Sequence, residues 1–318
     1  MNEPLVVICM STYNGDRFLS TQLDSIINQQ YSNWKLLIHD DGSNDNTLKI
    51  IKNYCAQDRR IVLSDNSQHL GVKKAFLSLT LEEDADFYMF SDQDDIWNSN
   101  KIEILLKKIE KYDTSIPLLI HGDYQTIDTK NQKINGFLSG YNNTDFNSLI
   151  LKNNVTGCTC LFNRTLRNLV EEKINNIDYN KMIMHDWWLA ILASAFGKVI
   201  HIDEKTVLYR QHEGNVIGAV EQKNKTNIQR LNYIFNLKDS NLRTICIQAA
   251  MILQLYKDNL DIEQIEVLNF YNGLLQKWRP VKQIKLSKKY VPEILSVTSL
   301  IQFYLFVLSP KNVRYKFG

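Results

Sequence analysis

Three aspartates at the end of one short apolar run are the residues of this sequence best suited to chemistry. Residues 87–97 read FYMFSDQDDIW and end in Asp92, Asp94 and Asp95 before the tryptophan. The apolar run predicts a buried strand, and three carboxylates at its end would repel one another. A hard divalent cation would relieve that repulsion, because Mg²⁺ and Mn²⁺ bind carboxylate, phosphate and water oxygens. The alternative is an acidic turn that caps a helix beginning near Asn98.

The first hundred residues alternate short apolar runs with amphipathic segments. Strands are predicted at 5–10, 34–38, 60–63 and 87–90, and helices at 18–29, 45–54 and 72–81. Such alternation predicts an α/β fold whose parallel sheet has helices on its faces. Ligands of such sheets bind beyond the carboxyl ends of the strands, so we expect the loops STYNG, HDDGS and SDQDD to converge on one crevice.

The ligand of this crevice can be narrowed by motifs that the sequence lacks. No GxGxxG follows the first strand, and no GxxxxGK[ST] occurs anywhere, so neither of these phosphate-binding turns is available. A metal is therefore expected to hold the phosphates. Tyr13 offers a ring on which a base could stack, and Asp41 could accept from an imide N–H, which favours a uracil or thymine nucleotide.

The motifs STYNG, HDDGSNDNT and SDQDDIW, in this order, resemble the nucleotide-sugar half of inverting family 2 glycosyltransferases with the GT-A fold. The resemblance covers roughly residues 4–220. It implies a Rossmann-like catalytic domain with a mainly parallel sheet at 1–220. The helical spacing of apolar residues after Thr226 predicts a C-terminal helical region at 221–318. That region would associate with a membrane or form a dimer.

The resemblance also implies roles for single residues. Ser11 and Tyr13 would contact the base, Asp41 would hold its N3–H, Asp92 would lie near the ribose and diphosphate, and Asp94 would ligate Mn²⁺ or Mg²⁺. Asp95 would lie behind these groups and keep a subsidiary role as a helix cap.

A second acidic site is predicted at residues 182–192, MIMHDWWLAIL, whose apolar spacing indicates a helix. His185 and Asp186 lie in its first turn, where a carboxylate can act as the general base that deprotonates an acceptor hydroxyl. The alternative is a simple helix cap. The family has an acidic helix start here, although HDWW replaces the commoner ED pair. By the same resemblance, Thr156, Gly157, Cys158 and Trp187 would line the acceptor side.

The later strands carry two further candidates. Strands are predicted at 118–120 and 199–202, with an irregular stretch at 125–143, and another apolar run leads into Arg210 and His212. In related transferases an equivalent loop closes over the diphosphate, which implies that Arg210 contacts the diphosphate and that His212 joins Asp94 on the metal. Gly214 and Gly218 would let this loop move.

The segments SDQDDIW, VTGCT, HDWW and LYRQHEGNVIGA further resemble bacterial rhamnosyltransferases that build cell-wall rhamnan or O-antigen chains from dTDP-L-rhamnose. The implied acceptor is a growing, lipid-linked glycan. Trp97, Trp187 and Trp188 could pack on a 6-deoxy sugar or belong to the core. A UDP-hexose or UDP-N-acetylhexosamine donor is the alternative. A sugar nucleotidyltransferase is the alternative from another class, but STYNGDRF lacks the Gly-rich, basic loop expected there.

Composition and charge limit the function classes, membrane contacts and compartments that the sequence allows. The 318 residues carry a net charge of only +2, which argues against a nucleic-acid binder, yet residues 279–318 contain eight basic residues and one acidic residue. Residues 291–308 are apolar but interrupted, which predicts an interfacial or packing helix rather than a spanning one. Five cysteines without zinc spacing and no basic leader favour a cytoplasmic protein, with contact to the inner face of the membrane as one alternative.

Overall fold

A computed structural model of the protein describes residues 3–66, 68–134, 143–213, 240–292 and 297–308. The chain divides into two compact units. The first is drawn from Met1–Thr144, Asn154–Ile174 and Met184–Ala219, and the second from Asp145–Asn153, Asn175–Ile183 and Val220–Gly318. The predicted division between residues 220 and 221, like the predicted mobile glycines Gly214 and Gly218, lies outside the described residues.

The first unit is built on one mixed sheet. Its described strands are β1 (Val6–Thr12), β2 (Trp34–Asp40), β3 (Ile61–Leu63), β4 (Phe87–Ser91), β5 (Ile96–Trp97), β6 (Leu118–Ile127), β7 (Cys160–Asn163) and β8 (Lys198–Arg210). They are arranged in the order β3-β2-β1-β4-β7-β6-β8-β5. The pairs within β3-β2-β1-β4 and the pair β6-β8 are parallel, whereas β7 and β5 pair antiparallel with their neighbours. The predicted α/β class with a mainly parallel sheet is confirmed.

The helices follow the strands in the expected alternation. Those of the first unit are α1 (Leu19–Ile27), α2 (Thr47–Gln57), α3 (Val72–Leu79), α4 (Lys101–Ile109), α6 (Arg164–Glu171) and α7 (His185–Phe196). Those of the second unit are α5 (Phe146–Leu151), α8 (Ser240–Tyr256), α9 (Ile262–Gln276), α10 (Pro280–Tyr290) and α11 (Val297–Leu308). No helix among the described residues is long and apolar enough to cross a membrane.

The central strands are apolar because both faces of the sheet are covered. All of Val6 to Met10 in β1 is fully buried, which is why this strand reads as a continuous apolar run rather than an alternating one. On one face, α1 contributes Leu19, Leu23 and Ile26 to the main core cluster at helical spacing. This packing holds the carboxyl ends of β1, β2 and β4 in register, with Thr12 beside Asp40 and Met10 beside Ser91.

Two sequence expectations about β6 and β8 were wrong. The stretch 125–143 was expected to be irregular from its start, but β6 continues to Ile127 because β8 pairs with it along its whole length. Residues 198–210 form one strand where two apolar runs were expected. The polar residues between those runs fall at an irregular part of the ladder, where the register shifts on either side of Asp123.

Candidate functional site

The three loops at the carboxyl ends of β1, β2 and β4 are joined by hydrogen bonds. The Asp41 backbone N–H donates to the carbonyl of Thr12 at 2.8 Å. The Asn14 N–H donates to Ser43 Oγ at 2.9 Å, and the Asn44 N–H donates to Asn14 Oδ1 at 2.9 Å. The first two loops therefore form one polar surface, as the parallel topology predicts.

Gln93 joins the third loop to the first. Its Oε1 accepts from the Tyr13 N–H at 3.0 Å, and its Nε2 donates to the Tyr13 carbonyl at 3.1 Å. The amide lies so close to Gly15 that a Cβ there would come within 2.2 Å of Gln93 Oε1. A side chain at this glycine of STYNG would therefore displace the Gln93 amide from its bonds to Tyr13. The Tyr13 ring is half exposed and lies edge-on to His69, with ring centroids 6.2 Å apart.

Asp41 is buried under the segment that leads into α3. Its Oδ1 accepts from the N–H groups of Leu70 at 2.5 Å and Gly71 at 3.1 Å, and its Oδ2 lies 3.1 Å from His69 Nδ1. His39 Nε2 lies 3.3 Å from Oδ1 on the other side. Asp41 therefore organises this segment. Any bond from a base N3–H would share the carboxylate with these donors.

Two of the three predicted aspartates, Asp92 and Asp95, lie together with Cys158. One ligand atom from each of Asp92, Asp95 and Cys158 lies within 4.8 Å of the others. Burial, together with the charges of Asp95, Asp94 and Asp186, raises the pKa of Asp92 well above its usual range. Burial and the neighbouring Asp94 raise the pKa of Asp95 to about 7. Like charges are thus held close together, with Asp95 fully buried and Asp92 and Asp94 half-buried, which is unfavourable without a compensating cation.

A buried lysine lies beneath this cluster. Lys101, the first residue of α4, is fully buried, and its Nζ donates to the carbonyl of Cys158 at 2.5 Å. The same nitrogen lies 3.1 Å from the centroid of the Trp97 ring. Burial lowers the pKa of Lys101 to about 7, while the charges of Asp95 and Asp92 act in the opposite direction. The ammonium of Lys101 therefore offsets only part of the acidic charge above it.

The donor set suits a divalent metal. Asp94 Oδ2 lies 2.7 Å from His212 Nε2, so the two predicted ligands meet although they are 118 positions apart in the chain. A carboxylate, an imidazole and the further carboxylates of Asp92 and Asp95 are donors that Mn²⁺ accepts readily. The raised pKa of Asp92 is the electrostatic sign that a cation would be stabilised here. The residues present therefore fit the metal.

Arg210 holds the acidic loop in place. Its side chain is buried, and its Nε donates to the Asp94 carbonyl at 2.7 Å. Its Nη1 donates to the carbonyl of Asp128 at 3.0 Å and to Asn131 Oδ1 at 2.6 Å, and its backbone N–H donates to Asp95 Oδ1 at 3.0 Å. The expected diphosphate contact would require some of these bonds to be exchanged.

Asp186 is fixed by the loop before β7. Its Oδ2 accepts from the Gly157 N–H at 3.0 Å, and its Oδ1 accepts from the Trp187 N–H at 2.6 Å. The adjacent His185 stacks on Phe76, with centroids 4.3 Å apart, and burial lowers its pKa to about 3. The neutral, packed His185 anchors the helix start, so that Asp186 lies close enough to Asp92 to raise the pKa of that group.

Several side chains lie elsewhere than the sequence suggested. Cys158 is buried under the aspartates, which corrects the expectation that it lines the acceptor side. Trp97 and Trp188 are buried in the core, whereas Trp187 is half-buried. Asp95 does not cap a helix, because α4 begins at Lys101 after Asn100. Ser11 is half-buried near the end of β1. Thr156, which precedes β7 in the chain, is also half-buried.

Three residues of the site were not predicted as such. Gln93 ties two loops together, Lys101 lies under the acidic cluster, and His69 lies against both Tyr13 and Asp41. Gln93 stands inside the acidic motif, so its position could have identified it. No local signal distinguishes Lys101 from any other lysine in the first turn of an amphipathic helix.

Comparison with known proteins agrees with this geometry. Residues 7–172, just over half of the chain, match the family described as Glycosyl transferase family 2. The chain is 35% identical over 170 residues to the UDP-Glc:alpha-D-GlcNAc-diphosphoundecaprenol beta-1,3-glucosyltransferase WfgD of Escherichia coli, covering 53% of this chain and 64% of that protein. It is 31% identical over 225 residues to the dTDP-rhamnosyl transferase RfbG of Shigella flexneri, covering 66% of this chain and 74% of that protein.

Solved structures share the fold at low sequence identity. TarS residues 1–349 of S. aureus, in complex with UDP-GlcNAc, match with a TM-score of 0.58 at 13% identity, covering 98% of this chain and 83% of that one. The mannosyltransferase PcManGT of Pyrobaculum calidifontis, in complex with GDP-Man and Mn²⁺, matches with a TM-score of 0.51 at 14% identity, covering 99% and 88%. The sheet and helices described above have the Rossmann-like GT-A fold of these neighbours. The chain belongs to glycosyl transferase family 2.

Proposed function

We propose that the protein is an inverting glycosyltransferase that moves L-rhamnose from dTDP-L-rhamnose onto a hydroxyl of a growing bacterial surface polysaccharide. The observation that carries the transferase chemistry is the approach of Asp186 to the acidic cluster around Asp92 and Asp94. The rhamnose donor is supported more narrowly, by the similarity to the dTDP-rhamnosyl transferase of Shigella flexneri.

Asp186 acts as the general base. As the acceptor oxygen attacks the anomeric carbon, its proton passes to a carboxylate oxygen of Asp186, and the bond from that carbon to the nucleoside diphosphate breaks. Both oxygens of Asp186 accept backbone N–H bonds, Oδ2 from Gly157 and Oδ1 from Trp187, which fixes the carboxylate in position. One displacement inverts the configuration of the sugar.

The donor is bound by the loops at the carboxyl ends of β1, β2 and β4. Tyr13 presents an exposed ring for the base, with Ser11 and Asp41 beside it on the same joined loops. Asp94 and His212 would hold Mn²⁺ or Mg²⁺, which supplies positive charge to the leaving diphosphate when bound. Asp92 lies next to these groups, and Arg210 keeps the backbone of Asp94 in position.

A second donor class is favoured by one observation. The relative from Escherichia coli, whose name gives UDP-Glc as its donor, is 35% identical over 53% of this chain. A UDP-hexose or UDP-N-acetylhexosamine is therefore the alternative donor. The bond from Asp41 to the base does not distinguish the two, because uracil and thymine present the same N3–H.

The acceptor is proposed to be a lipid-linked glycan at the inner face of the cytoplasmic membrane. Thr156, Gly157 and Trp187 adjoin Asp186, and so lie on the side from which the hydroxyl must approach. Such an acceptor would be reached by a protein that is located in the cytoplasm and attached peripherally to that membrane. A dimer formed through the C-terminal helices would also reach it.

The donor is tested by binding and then by turnover. A thermal-shift panel with dTDP-L-rhamnose, UDP-glucose and UDP-N-acetylglucosamine, each with and without Mn²⁺, should give the largest metal-dependent stabilisation with dTDP-L-rhamnose. Transfer to a lipid-linked acceptor should then follow the same order, with release of dTDP. A UDP-sugar that stabilises and reacts better would replace rhamnose by the alternative donor. Formation of a sugar nucleotide from a sugar phosphate and a nucleoside triphosphate would instead show a nucleotidyltransferase.

A further inference from the structure

One helix face in the second unit is densely cationic. Residues 277–292 contain six basic residues and no acidic residue. The exposed residues of α10 are Val281, Lys282, Lys285, Lys288 and Lys289. Residues three and four apart share one side of a helix, so these lysines form a continuous stripe.

The opposite face fixes the orientation of this stripe. Gln283, Ser287 and Tyr290 are the buried residues of α10. Gln283 Nε2 donates to the Lys277 carbonyl at 2.9 Å, and the Tyr290 hydroxyl donates to Glu266 Oε2 at 2.9 Å. The helix is therefore attached through polar contacts on its inner side, and the lysines are held outward.

The positive charge of the stripe is largely uncompensated. Lys289 pairs with Glu266 at 2.7 Å. Among the described residues, no carboxylate lies within ion-pair distance of Lys282, Lys285 or Lys288. Clustered like charges repel one another, so a surface that brings negative charge to them would be bound favourably.

Exposed apolar groups accompany the lysines. Trp278, just before α10, is 47% exposed, and Val281 in its first turn is 83% exposed. A tryptophan beside a row of lysines is typical of a surface that meets a bilayer, because the indole settles at the headgroup level while lysines bind anionic lipid. Nucleic acid would account for the charge but not for the exposed Val281.

We infer that the face formed by Trp278, Val281, Lys282, Lys285 and Lys288 docks the protein on an anionic phospholipid bilayer. This surface adds to the proposed function, since a lipid-linked acceptor presents its hydroxyl at the same bilayer. Lipid binding is measured without any sugar donor, so the two proposals can fail separately.

The test is co-sedimentation of the full chain with vesicles of phosphatidylcholine containing about 30 mol% phosphatidylglycerol. The triple variant Lys282→Glu, Lys285→Glu, Lys288→Glu should lower the partition coefficient at least about a hundredfold. The matched control is Lys49→Glu, Lys52→Glu, Arg59→Glu, which makes the same charge change at exposed positions of the first unit and should bind as the wild type does. Unchanged thermal melting will show that both variants fold.

A second variant tests the apolar contact. Trp278→Ala should weaken vesicle binding about tenfold and leave its salt dependence unchanged, since the indole contributes no charge. Binding of the wild type to pure phosphatidylcholine at the same strength would overturn the proposal, as would full binding by the triple-Glu variant. Tighter binding of the wild type to duplex DNA than to the vesicles would likewise overturn the proposal. So would a triple-Glu variant that loses a dimer on gel filtration but still binds the vesicles.

Discussion

The donor loops and the start of α7 reach the same acidic cluster by different kinds of contact. The donor loops are joined by polar bonds between side chains and backbone, of which the paired bonds of Gln93 to Tyr13 are the clearest. The start of α7 is held mainly by packing, with the His185 ring stacked on Phe76 and edge-on to Phe90. The bond from the Gly157 N–H adds a polar tie between Asp186 and the preceding loop.

This difference indicates which substitutions should affect donor binding and which should affect catalysis. A polar change in the donor loops removes bonds that shape the nucleotide surface, so it should weaken donor binding. A change of volume near α7 should displace one carboxylate and lower the rate of transfer while the donor still binds. Four of the predictions below test that division, and the fifth concerns stability and pH.

The largest effect is expected from Asp186→Asn. The amide keeps an oxygen for the Gly157 N–H but cannot take up a proton, so kcat should fall about a thousandfold while the Kd of the donor changes less than twofold. Calorimetry with the donor and a transfer assay measure the two quantities. Activity within a few fold of the wild type would remove Asp186 as the base.

Asp94→Ala should lower kcat/KM at least about a hundredfold, because the metal loses its central carboxylate and the leaving diphosphate its cation. His212→Ala should give a smaller loss, about tenfold, since the remaining carboxylates still bind the ion. Titration of bound Mn²⁺ by electron paramagnetic resonance provides a reading that does not depend on turnover. Unaltered Mn²⁺ affinity in Asp94→Ala would contradict the metal assignment.

Gly157→Ala should lower kcat about tenfold with little change in donor binding. The new Cβ would lie 3.4 Å from both Asp186 Cβ and His185 Nε2, so the carboxylate must shift slightly. The matched control is Gly273→Ala in α9, where a Cβ meets nothing within 4 Å. That change should raise stability by about 0.5–1 kcal/mol and leave transfer unaltered. Equal kinetic effects of the two changes would show that the contact with Asp186 is unimportant.

Gln93→Ala should affect the donor loops and donor binding rather than the start of α7. Loss of both bonds to Tyr13, each contributing about 1 kcal/mol, is expected to weaken donor binding about tenfold while kcat at saturating donor stays within twofold. Gln276→Ala, at an exposed site in α9, serves as the control. A fall in kcat with unchanged donor Kd would break the proposed division of the site.

The smallest effect concerns stability and pH. Burial, aided by the neighbouring His201, lowers the pKa of His121 to about 3. The unfolded chain takes up this proton below about pH 6.5, whereas the folded chain does not. His121 therefore favours folding above pH 6.5, and this contribution is lost by about 1.4 kcal/mol per pH unit as the pH falls toward 3.

His121→Phe removes that titration. Urea unfolding between pH 7 and pH 4.5 should show the variant losing stability with pH less steeply than the wild type, by about 1.4 kcal/mol per unit below pH 6. Above pH 7 the two curves should run parallel. Parallel curves throughout the range would mean that the His121 ring gains a proton in the folded protein.

Much of the donor side could be predicted because its signals are local. Each apolar run of the first 91 residues ends in a polar loop, and parallel pairing alone brings those loops to one edge of the sheet. The topology does not by itself fix the register, in which Thr12 lies beside Asp40. The exact partners of Asp41 did not follow, because Leu70 and Gly71 approach it through a loop without a periodic pattern.

The later half of the site was less predictable, because its strands are interrupted and mixed in direction. β7 is antiparallel to both of its neighbours, and β8 carries polar residues in mid-strand. The resemblance implied that Arg210 contacts the diphosphate, but it did not reveal that the side chain is buried with its Nε donating to the Asp94 carbonyl. Cys158 was expected on the acceptor side but is buried, and of the two alternatives left open for Trp188 the structure shows the core, because composition alone does not tell a buried side chain from a wall of a crevice.

The sequence by itself determined the α/β alternation, the acidic loop ends and the helix start that carries Asp186, because periodicity and residue type report on neighbours along the chain. Only the tertiary structure decided that Lys101 lies under the aspartates, and it brings Asp94 beside His212, a pairing that the resemblance had implied. These contacts join residues dozens of positions apart. Their geometry is set by how the sheet packs on its helices, which no local pattern encodes.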